Sequence, residues 1–453
     1  MADAEPLNEQ PEASGDGKSS AIPNGRMALL FTVMLVTAAG NTAMNSVMPS
    51  IGTALKVDDV WISLAYSWSA LLWVLCAPIW ARRSDRRGRK AMMALGLIGF
   101  VISMALCGAV LWAGLTGWLT AFWALIAFAA ARSLYGGFGS AAPPAVQAYV
   151  AARTPRAERT NALSLIASSF GLGTVIGPAL APLMVFPFLG LGLTGPFICF
   201  ALIGIIVLVL LRMRLPDDQP QFAAKGVATS YSGPADTPET AELETEEDGT
   251  AAPPGNLTWR DPRLRPWIVA QLLGGHAQAM VLGITGFLVL DRLGLRETPT
   301  EGAGPVGLVL MSGAIATLLA QWGIIPRFKL GPRAASLSGL LISCLGTIML
   351  AVASNIHMIA LGYAIASLGF GLFRPGTTAG TSLAVTRAEQ GQASGIVASL
   401  AGASYIYAPA LGVYLYGHSD WLGFGLIVAL SVMGFVHGWS TMQRDSLLTR
   451  ERA

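Results

Sequence analysis

Long uncharged apolar runs recur along this chain and constrain its fold more than any other feature. The run FICFALIGIIVLVLL, from Phe197 to Leu211, contains no charged residue, and comparable runs follow one another from Met27 to Thr441. A membrane-spanning helix needs about 20 such residues. Charged residues make up only 12% of the 453-residue chain, roughly half of their share in soluble proteins. The sequence therefore predicts an all-α integral membrane protein that crosses the bilayer many times.

The chain contains twelve apolar runs, which predict two groups of six spans with a polar stretch between them. The first six spans are predicted near Met27–Leu55, Trp61–Ala81, Ala91–Trp112, Trp118–Val150, Ala162–Phe186 and Gly195–Leu211. The second six are predicted near Pro266–Leu290, Val306–Ile325, Ala334–Ala353, Met358–Val385, Gly395–Tyr416 and Leu422–Thr441. The predicted units are a disordered cytoplasmic tail (1–26), a six-helix bundle (27–214), a cytoplasmic linker (215–265), a second six-helix bundle (266–441) and a cytoplasmic tail (442–453).

The N-terminal tail and the linker have the composition of unfolded segments. The tail is acidic, rich in Pro, Gly and Ser, and lacks the basic and apolar regions of a cleaved signal. The linker contains the acidic run ELETEED, for which a solvated spacer is favoured over a regulatory element. The four cysteines lie scattered inside apolar runs, which argues against a disulfide framework or a zinc site.

Basic residues are concentrated in alternate loops, and this asymmetry predicts the topology. Six basic residues lie between Arg82 and Lys90, whereas the loops of the opposite side carry only Lys56, Arg292 and Arg296. Cytoplasmic loops hold the excess of Lys and Arg in membrane proteins. Both termini are therefore expected in the cytoplasm.

The two halves of the chain are related by an internal repeat. A shift of 231 residues places RAERTNALSLIASSFGLGTVIGPAL, from Arg156, on RAEQGQASGIVASLAGASYIYAPAL, from Arg387. Both copies begin in a cytoplasmic loop and enter an odd-numbered span, so the repeats are parallel and related by an axis along the membrane normal. Two pseudo-symmetric six-helix bundles that rock against each other are the predicted architecture.

The segment ARRSDRRGRK resembles the loop signature between spans 2 and 3 of the major facilitator superfamily, although Ala81 replaces its usual first glycine. The resemblance implies the twelve-span fold of that superfamily. A carboxylate at the end of span 2 can pair with arginines and release them, so a cytoplasmic gate is favoured over a static topological anchor. The predicted gate residues are Asp85, Arg86, Gly88, which permits a tight turn, and Arg89, followed by the matching Lys90.

Three further motifs are similar to those of drug or metabolite:proton antiporters within this superfamily. Arg132 and Gly136 match its span-4 motif, and Asn45 precedes Pro49 by four residues as in its span 1, with Asn41 on the same helix face. GTVIGP resembles the core of an exporter motif in span 5, although glycines usual at positions 164 and 181 are absent. Close helix packing alone would also explain this last set: Gly173, Gly177 and Pro178.

Polar side chains inside the spans are the candidate lining of a central cavity, because each is costly in lipid. Arg132 and Arg374 predict a positive site for an anionic group, and the alternative is that each braces its own half through hydrogen bonds. The complete predicted cavity set is Asn41, Asn45, Arg132, Gln271, His276, Arg374 and Tyr405. Interhelical hydrogen bonding is an alternative for the glutamine and the tyrosine.

No Asp or Glu lies deep in any predicted span. Proton-coupled pumps usually carry a buried titratable group, and His276 is the remaining candidate, with simple hydrogen bonding as its alternative. Proton coupling is thus implied by the resemblance alone. The missing acids also favour neutral or anionic cargo over cationic drugs.

The predicted function is export of a small organic molecule by alternating access across a bacterial inner membrane, with protons as the implied coupling ion. The alternative is import or facilitated passage of an organic anion on the same fold. A membrane-embedded enzyme lacks support in the sequence, which contains no nucleotide-binding loop or metal-ligand cluster. We expect a monomer with the lipid bilayer and a small-molecule substrate as its partners, without cofactor, metal or nucleic acid.

Overall fold

The computed structural model describes residues 22–154, 156–186, 190–216, 257–385 and 389–445. Within these ranges the chain is helical, and its helices fall into twelve successive segments of span length. Ten helices are long and apolar enough to cross a membrane, and the apolar part of span 5 is shorter, Ser168–Met184. The all-α prediction is confirmed. Most of the predicted linker, most of both tails and the repeat position Arg387 lie outside the described residues.

The helix bounds differ from the predicted spans by up to seven residues. In the first half the helices are span 1 Asn24–Ala54, span 2 Asp59–Arg87, span 3 Arg89–Leu115, span 4 Ala121–Gly137 with Ala142–Arg153, span 5 Arg156–Leu180 and span 6 Gly195–Arg214. In the second half they are span 7 Arg265–Arg292, span 8 Pro299–Leu318 with Ile325–Phe328, span 9 Pro332–Val352, span 10 Ile356–Leu383, span 11 Gln390–His418 and span 12 Asp420–Thr441.

Span 2 continues as a helix through the basic segment that the sequence placed in a loop. The helix ends at Arg87, and only Gly88 separates it from span 3. Arginine is a good helix former, and no glycine or proline interrupts the segment before Gly88. Gly88 adopts φ 88°, a left-handed conformation that glycine reaches without steric cost. The loop between these spans is therefore a single-residue turn.

Span 4 is divided by a short irregular stretch. Its first helix ends at Gly137, a 3-10 turn covers Gly139–Ala141, and a second helix begins at Ala142. Pro143 and Pro144 in the first turn of this second helix explain the break, because proline lacks the N–H and clashes with the preceding turn. The second helix then carries the chain to the turn before span 5.

Each half packs around its own buried side chains, and a smaller set of contacts joins the halves. Span 1 lies along span 5, and span 9 lies along span 10. Fully buried rings fill both halves, among them Phe100, Phe197 and Phe373. Between the halves, span 2 contacts span 11, while spans 1 and 5 contact span 8.

An ion-pair cluster fixes the chain where it enters span 7. Arg263 donates hydrogen bonds of 3.0 and 2.9 Å to the carboxylate of Glu389, which precedes span 11. Arg263 also bonds Asp261, and this contact lowers the pKa of that carboxyl. The cluster ties the C-terminal end of the linker to the second half.

Candidate substrate site and gates

Arg132 lies buried in the first half, within a cluster of polar and aromatic side chains. Span 4 places it eleven residues after its helix begins at Ala121, roughly 16 Å along the axis, and it is 4% exposed. Its Nη2 donates a hydrogen bond to Oδ1 of Asn41 on span 1. The rings of Tyr66 and Tyr135 lie 5.6 and 4.8 Å from its guanidinium carbon. The structure thus joins two predicted site residues with two tyrosines that the sequence analysis missed.

Three hydrogen-bond donors in this cluster have no acceptor among the described residues. They are the Nε and Nη1 groups of Arg132 and the hydroxyl of Tyr66, all of which are buried. No carboxylate of the described residues forms an ion pair with Arg132. Because buried donors are normally satisfied and buried charges are normally paired, the cluster is suited to an oxyanion. Tyr66 carried a signal in the sequence, since a tyrosine inside an apolar run needs a partner for its hydroxyl.

The second predicted asparagine of span 1 stands apart from this cluster. Asn45 lies one turn beyond Asn41 and is half-buried. Its side chain forms no hydrogen bond with another described residue. Asn45 is thus not part of the Arg132 cluster, whereas Asn41 is bonded to Arg132.

The predicted polar residues of the second half lie in different surroundings and do not form one cluster. Gln271 is buried, and its Oε1 accepts a 2.7 Å hydrogen bond from Thr377 of span 10. Arg374, one turn before Thr377, is exposed, and its guanidinium has no partner within the described ranges. Tyr405 of span 11 is half-buried against the core. The structure therefore shows no contact that joins these residues to Arg132.

His276 faces span 11. Its Nδ1 lies 2.6 Å from the carbonyl oxygen of Leu272 and 3.3 Å from Oγ of Ser404. Its ring packs 5.0 Å from that of Tyr407, and its Nε2 is buried without a partner. The short contact with a carbonyl favours the tautomer with the proton on Nδ1, which leaves Nε2 as an acceptor.

The predicted cytoplasmic gate is described only in part. Asp85 and Arg86 lie in the last turns of span 2, but their side chains lie outside the described part of the structure. Gly88 makes the turn, and Arg89 begins span 3 half-buried. The role of these residues as a gate remains a prediction.

The glycines of the exporter-like motif bring span 5 against span 1. A Cβ on Gly173 would lie 2.6 Å from the carbonyl oxygen of Leu35, and one on Gly177 would overlap the carbonyl oxygen of Ala39. The hydroxyl of Thr42 also donates to the Gly173 carbonyl at 3.3 Å. Pro178, inside the same helix, is buried. Small residues at these positions allow the two backbones to touch.

At the other membrane face, an arginine between spans 7 and 8 joins the two halves. Arg296 bonds both carboxylate oxygens of Asp59, at the start of span 2, at 2.8 and 2.6 Å. It also bonds Asp291 at 2.7 and 3.1 Å, and the hydroxyl of Tyr416 donates to Asp291 at 2.9 Å. Burial opposes the charge of Arg296, but its carboxylate partners outweigh burial and raise the pKa of the guanidinium. We call Arg296, Asp59, Asp291 and Tyr416 the extracellular latch, because the predicted topology places these residues at the extracellular face.

Comparison with known proteins identifies the family. A family model described as Major Facilitator Superfamily matches residues 30–329. The chain belongs to this superfamily. Its members are membrane transporters rather than enzymes, and the resemblance seen in the basic motif is confirmed.

Individual proteins are similar to this chain at identities of 30% or less. The chain is 30% identical over 198 residues to the probable actinorhodin transporter of Streptomyces coelicolor, a match that covers 43% of this chain but only 32% of that protein. It is 25% identical over 417 residues to the class C tetracycline resistance protein of Escherichia coli, with 90% and 94% covered. A bacterial homologue of the human lysosomal transporter Spinster, solved in an inward-facing conformation, shares the fold with a TM-score of 0.69 at 13% identity, covering 94% and 98%.

Proposed function

We propose that this facilitator exports a small organic molecule across a bacterial inner membrane by alternating access. The observation that supports it most directly is the extracellular latch, because its ion pairs join one end of the first half to the same end of the second half. Carriers of this architecture alternate by rocking one bundle against the other. A structure closed on the outside corresponds to one end of that cycle.

The exporting direction is supported by relatives and by span 5. Proteins that are similar to this chain over part or most of its length carry names of drug or antibiotic resistance. Gly173, Gly177 and Pro178 match the core of the exporter-like motif, and the two glycines pack directly on span 1. We further propose that both termini are cytoplasmic, that the protein acts as a monomer, and that the two bundles end near the boundaries predicted from the sequence.

The alternative function is import or facilitated passage of an organic anion. It is favoured by two arginines within the spans, Arg132 and Arg374, that have no carboxylate partner among the described residues. Both functions use the same fold and the same latch. They differ in the direction in which a proton gradient drives the substrate.

Transport in proteoliposomes separates these functions. A panel of metabolites and drugs is offered from outside, with the lumen made acidic, alkaline or equal in pH to the bath. Because reconstituted carriers insert in both orientations, a proton antiporter should accumulate its substrate when the lumen is acidic. A proton symporter should do so when the bath is acidic, and a facilitator should equilibrate the substrate under all three conditions. Export would be contradicted by accumulation only with an acidic bath.

Proton coupling is proposed to depend on His276, whose Nε2 is buried with no hydrogen-bond partner among the described residues. His276→Asn keeps a donor near the Leu272 carbonyl but removes the titratable ring. We expect the variant to equilibrate substrate while losing most of the acid-driven accumulation, measured as the ratio of internal to external substrate. His437→Asn in span 12 is the matched control and should retain accumulation. Full coupling in His276→Asn would assign the proton to another group.

A further inference from the structure

We propose that Arg132, which Asn41 holds in place, binds together with Tyr66 the anionic group of the transported molecule, so that the cargo is an organic acid carrying a carboxylate or a comparable oxyanion. The proposal rests on the function proposed above and specifies its substrate class. It concerns one cluster between spans 1, 2 and 4, and it requires no contact with the second half.

The first step is the charge of Arg132. Arginine remains protonated in proteins, and here it is 4% exposed, well inside a membrane-spanning helix. A positive charge at this depth is stabilised by an opposite charge or by a full set of acceptors. Within the described residues neither is present, since Asn41 supplies a single acceptor to Nη2.

The second step is the aromatic surroundings. Tyr66 and Tyr135 place ring faces near the guanidinium, which stabilises a cation without neutralising it. The Tyr135 hydroxyl donates to the carbonyl of Thr37 at 3.4 Å, whereas the Tyr66 hydroxyl is buried without a partner. Tyr66, whose ring centre lies 5.6 Å from the guanidinium carbon, therefore adds a third donor that has no acceptor among the described residues, besides Nε and Nη1 of Arg132. A carboxylate can accept from several such donors at once.

The third step argues against a purely structural brace. A bracing arginine has its donors bonded to acceptors, as in Arg296, whose three nitrogens all bond Asp59, Asp291 or Thr53. Arg132 has one such bond, and two of its three nitrogens have none. The unused donors indicate a partner that is exchanged during the transport cycle.

The test uses the full-length protein in lipid nanodiscs and a panel of acid and amide pairs. Aromatic and aliphatic carboxylic acids are each compared with their primary amides, which keep the shape and remove the charge. Binding is measured as the shift in melting temperature and by displacement of a bound acid. We expect acids to bind at least about tenfold more tightly than their amides, a difference of about 1.4 kcal/mol. Arg132→Gln should lower the affinity for the acids to that for the amides. Arg132→Lys should retain part of the preference for acids.

Controls keep the outcome specific. Arg327→Gln, at an exposed arginine of the cytoplasmic end of span 8, should leave the acid preference unchanged. Tyr66→Phe should lower the affinity for the acids and leave the affinity for the amides unchanged. Chloride is tested alone, because a small inorganic anion could meet the same donors.

Each result decides the proposal. Equal binding of acids and amides, an acid preference that survives in Arg132→Gln, or stabilisation by chloride alone would overturn it. Gradient-driven transport of neutral or cationic compounds, unaffected by Arg132→Gln, would overturn it while leaving the exporter function in place. Arg132-dependent binding of acids without any transport would instead contradict the exporter function.

Discussion

Reversing the charge of Arg296 should open the extracellular side of this transporter. In Arg296→Glu, three carboxylates would face one another where the wild-type arginine bridges Asp59 of the first half and Asp291 of the second. Close charge pairs at interfaces couple by about 1.5–7 kcal/mol, and the low end of this range applies because the three side chains are 22% to 35% exposed. A loss of about 2–3 kcal/mol shifts a two-state equilibrium roughly 30- to 150-fold. We therefore expect the outward-open state to become predominant.

Labelling of a buried residue measures this opening. Ser50 is buried near the extracellular end of span 1, against Gly302 of span 8. Ser50→Cys, in a background without the four native cysteines, should react slowly with a membrane-impermeant maleimide. The reaction should accelerate at least tenfold when Arg296→Glu is added. The rate of substrate transport should fall, because the carrier no longer returns from the outward-open state.

The chain offers a matched control for the latch. Arg292 pairs with Asp420, an ion pair near the same face whose partners both belong to the second half. Arg292→Glu should disturb local charge without separating the halves, so labelling at position 50 should stay slow. The exchange Asp59→Arg with Arg296→Asp should restore part of the closure. Equal acceleration in Arg292→Glu would mean that net charge, rather than the latch, controls the outer gate.

The pairing of residues in the extracellular latch could not be predicted from the sequence, for a physical reason. Asp59 and Arg296 are 237 positions apart, and their pairing depends on how two separate bundles meet. Apolar periodicity predicts each bundle because it is a local property of every helix. It says nothing of which loop residues of one bundle face those of the other, so Arg296 was predicted only as a charge of an external loop.

The sequence predicted those site residues that are polar or charged within an apolar run. Arg132 and Asn41 stood out because polar groups in an apolar run need a reason, and the structure places them in contact. Tyr66 was missed, since tyrosine also serves as an ordinary membrane residue. His276 was predicted with the cavity set, but its observed contacts are with span 11, a neighbour that sequence spacing does not identify.

Gly177→Ala should lower both stability and transport, although alanine is the better helix former. At an unconstrained helical position this change would stabilise by up to about 1 kcal/mol. At Gly177 the added Cβ would overlap the carbonyl oxygen of Ala39 and the hydroxyl of Thr42 on span 1. Overpacking of this kind costs about 1–3 kcal/mol, and a backbone carbonyl cannot rotate away as a side chain can. The two helices must separate, so we expect a lower melting temperature and slower transport.

Gly171→Ala on the same helix provides the comparison of opposite sign. Its added Cβ would meet only Cδ2 of Leu318, at an ordinary contact distance of 3.4 Å. The melting temperature should therefore stay the same or rise slightly, with transport retained. If both variants were equally stable but only Gly177→Ala transported slowly, the close contact would serve movement of span 5 along span 1 rather than the fold. If both variants behaved like the wild type, spans 1 and 5 would not be in backbone contact, and the exporter-like motif would lose its structural basis.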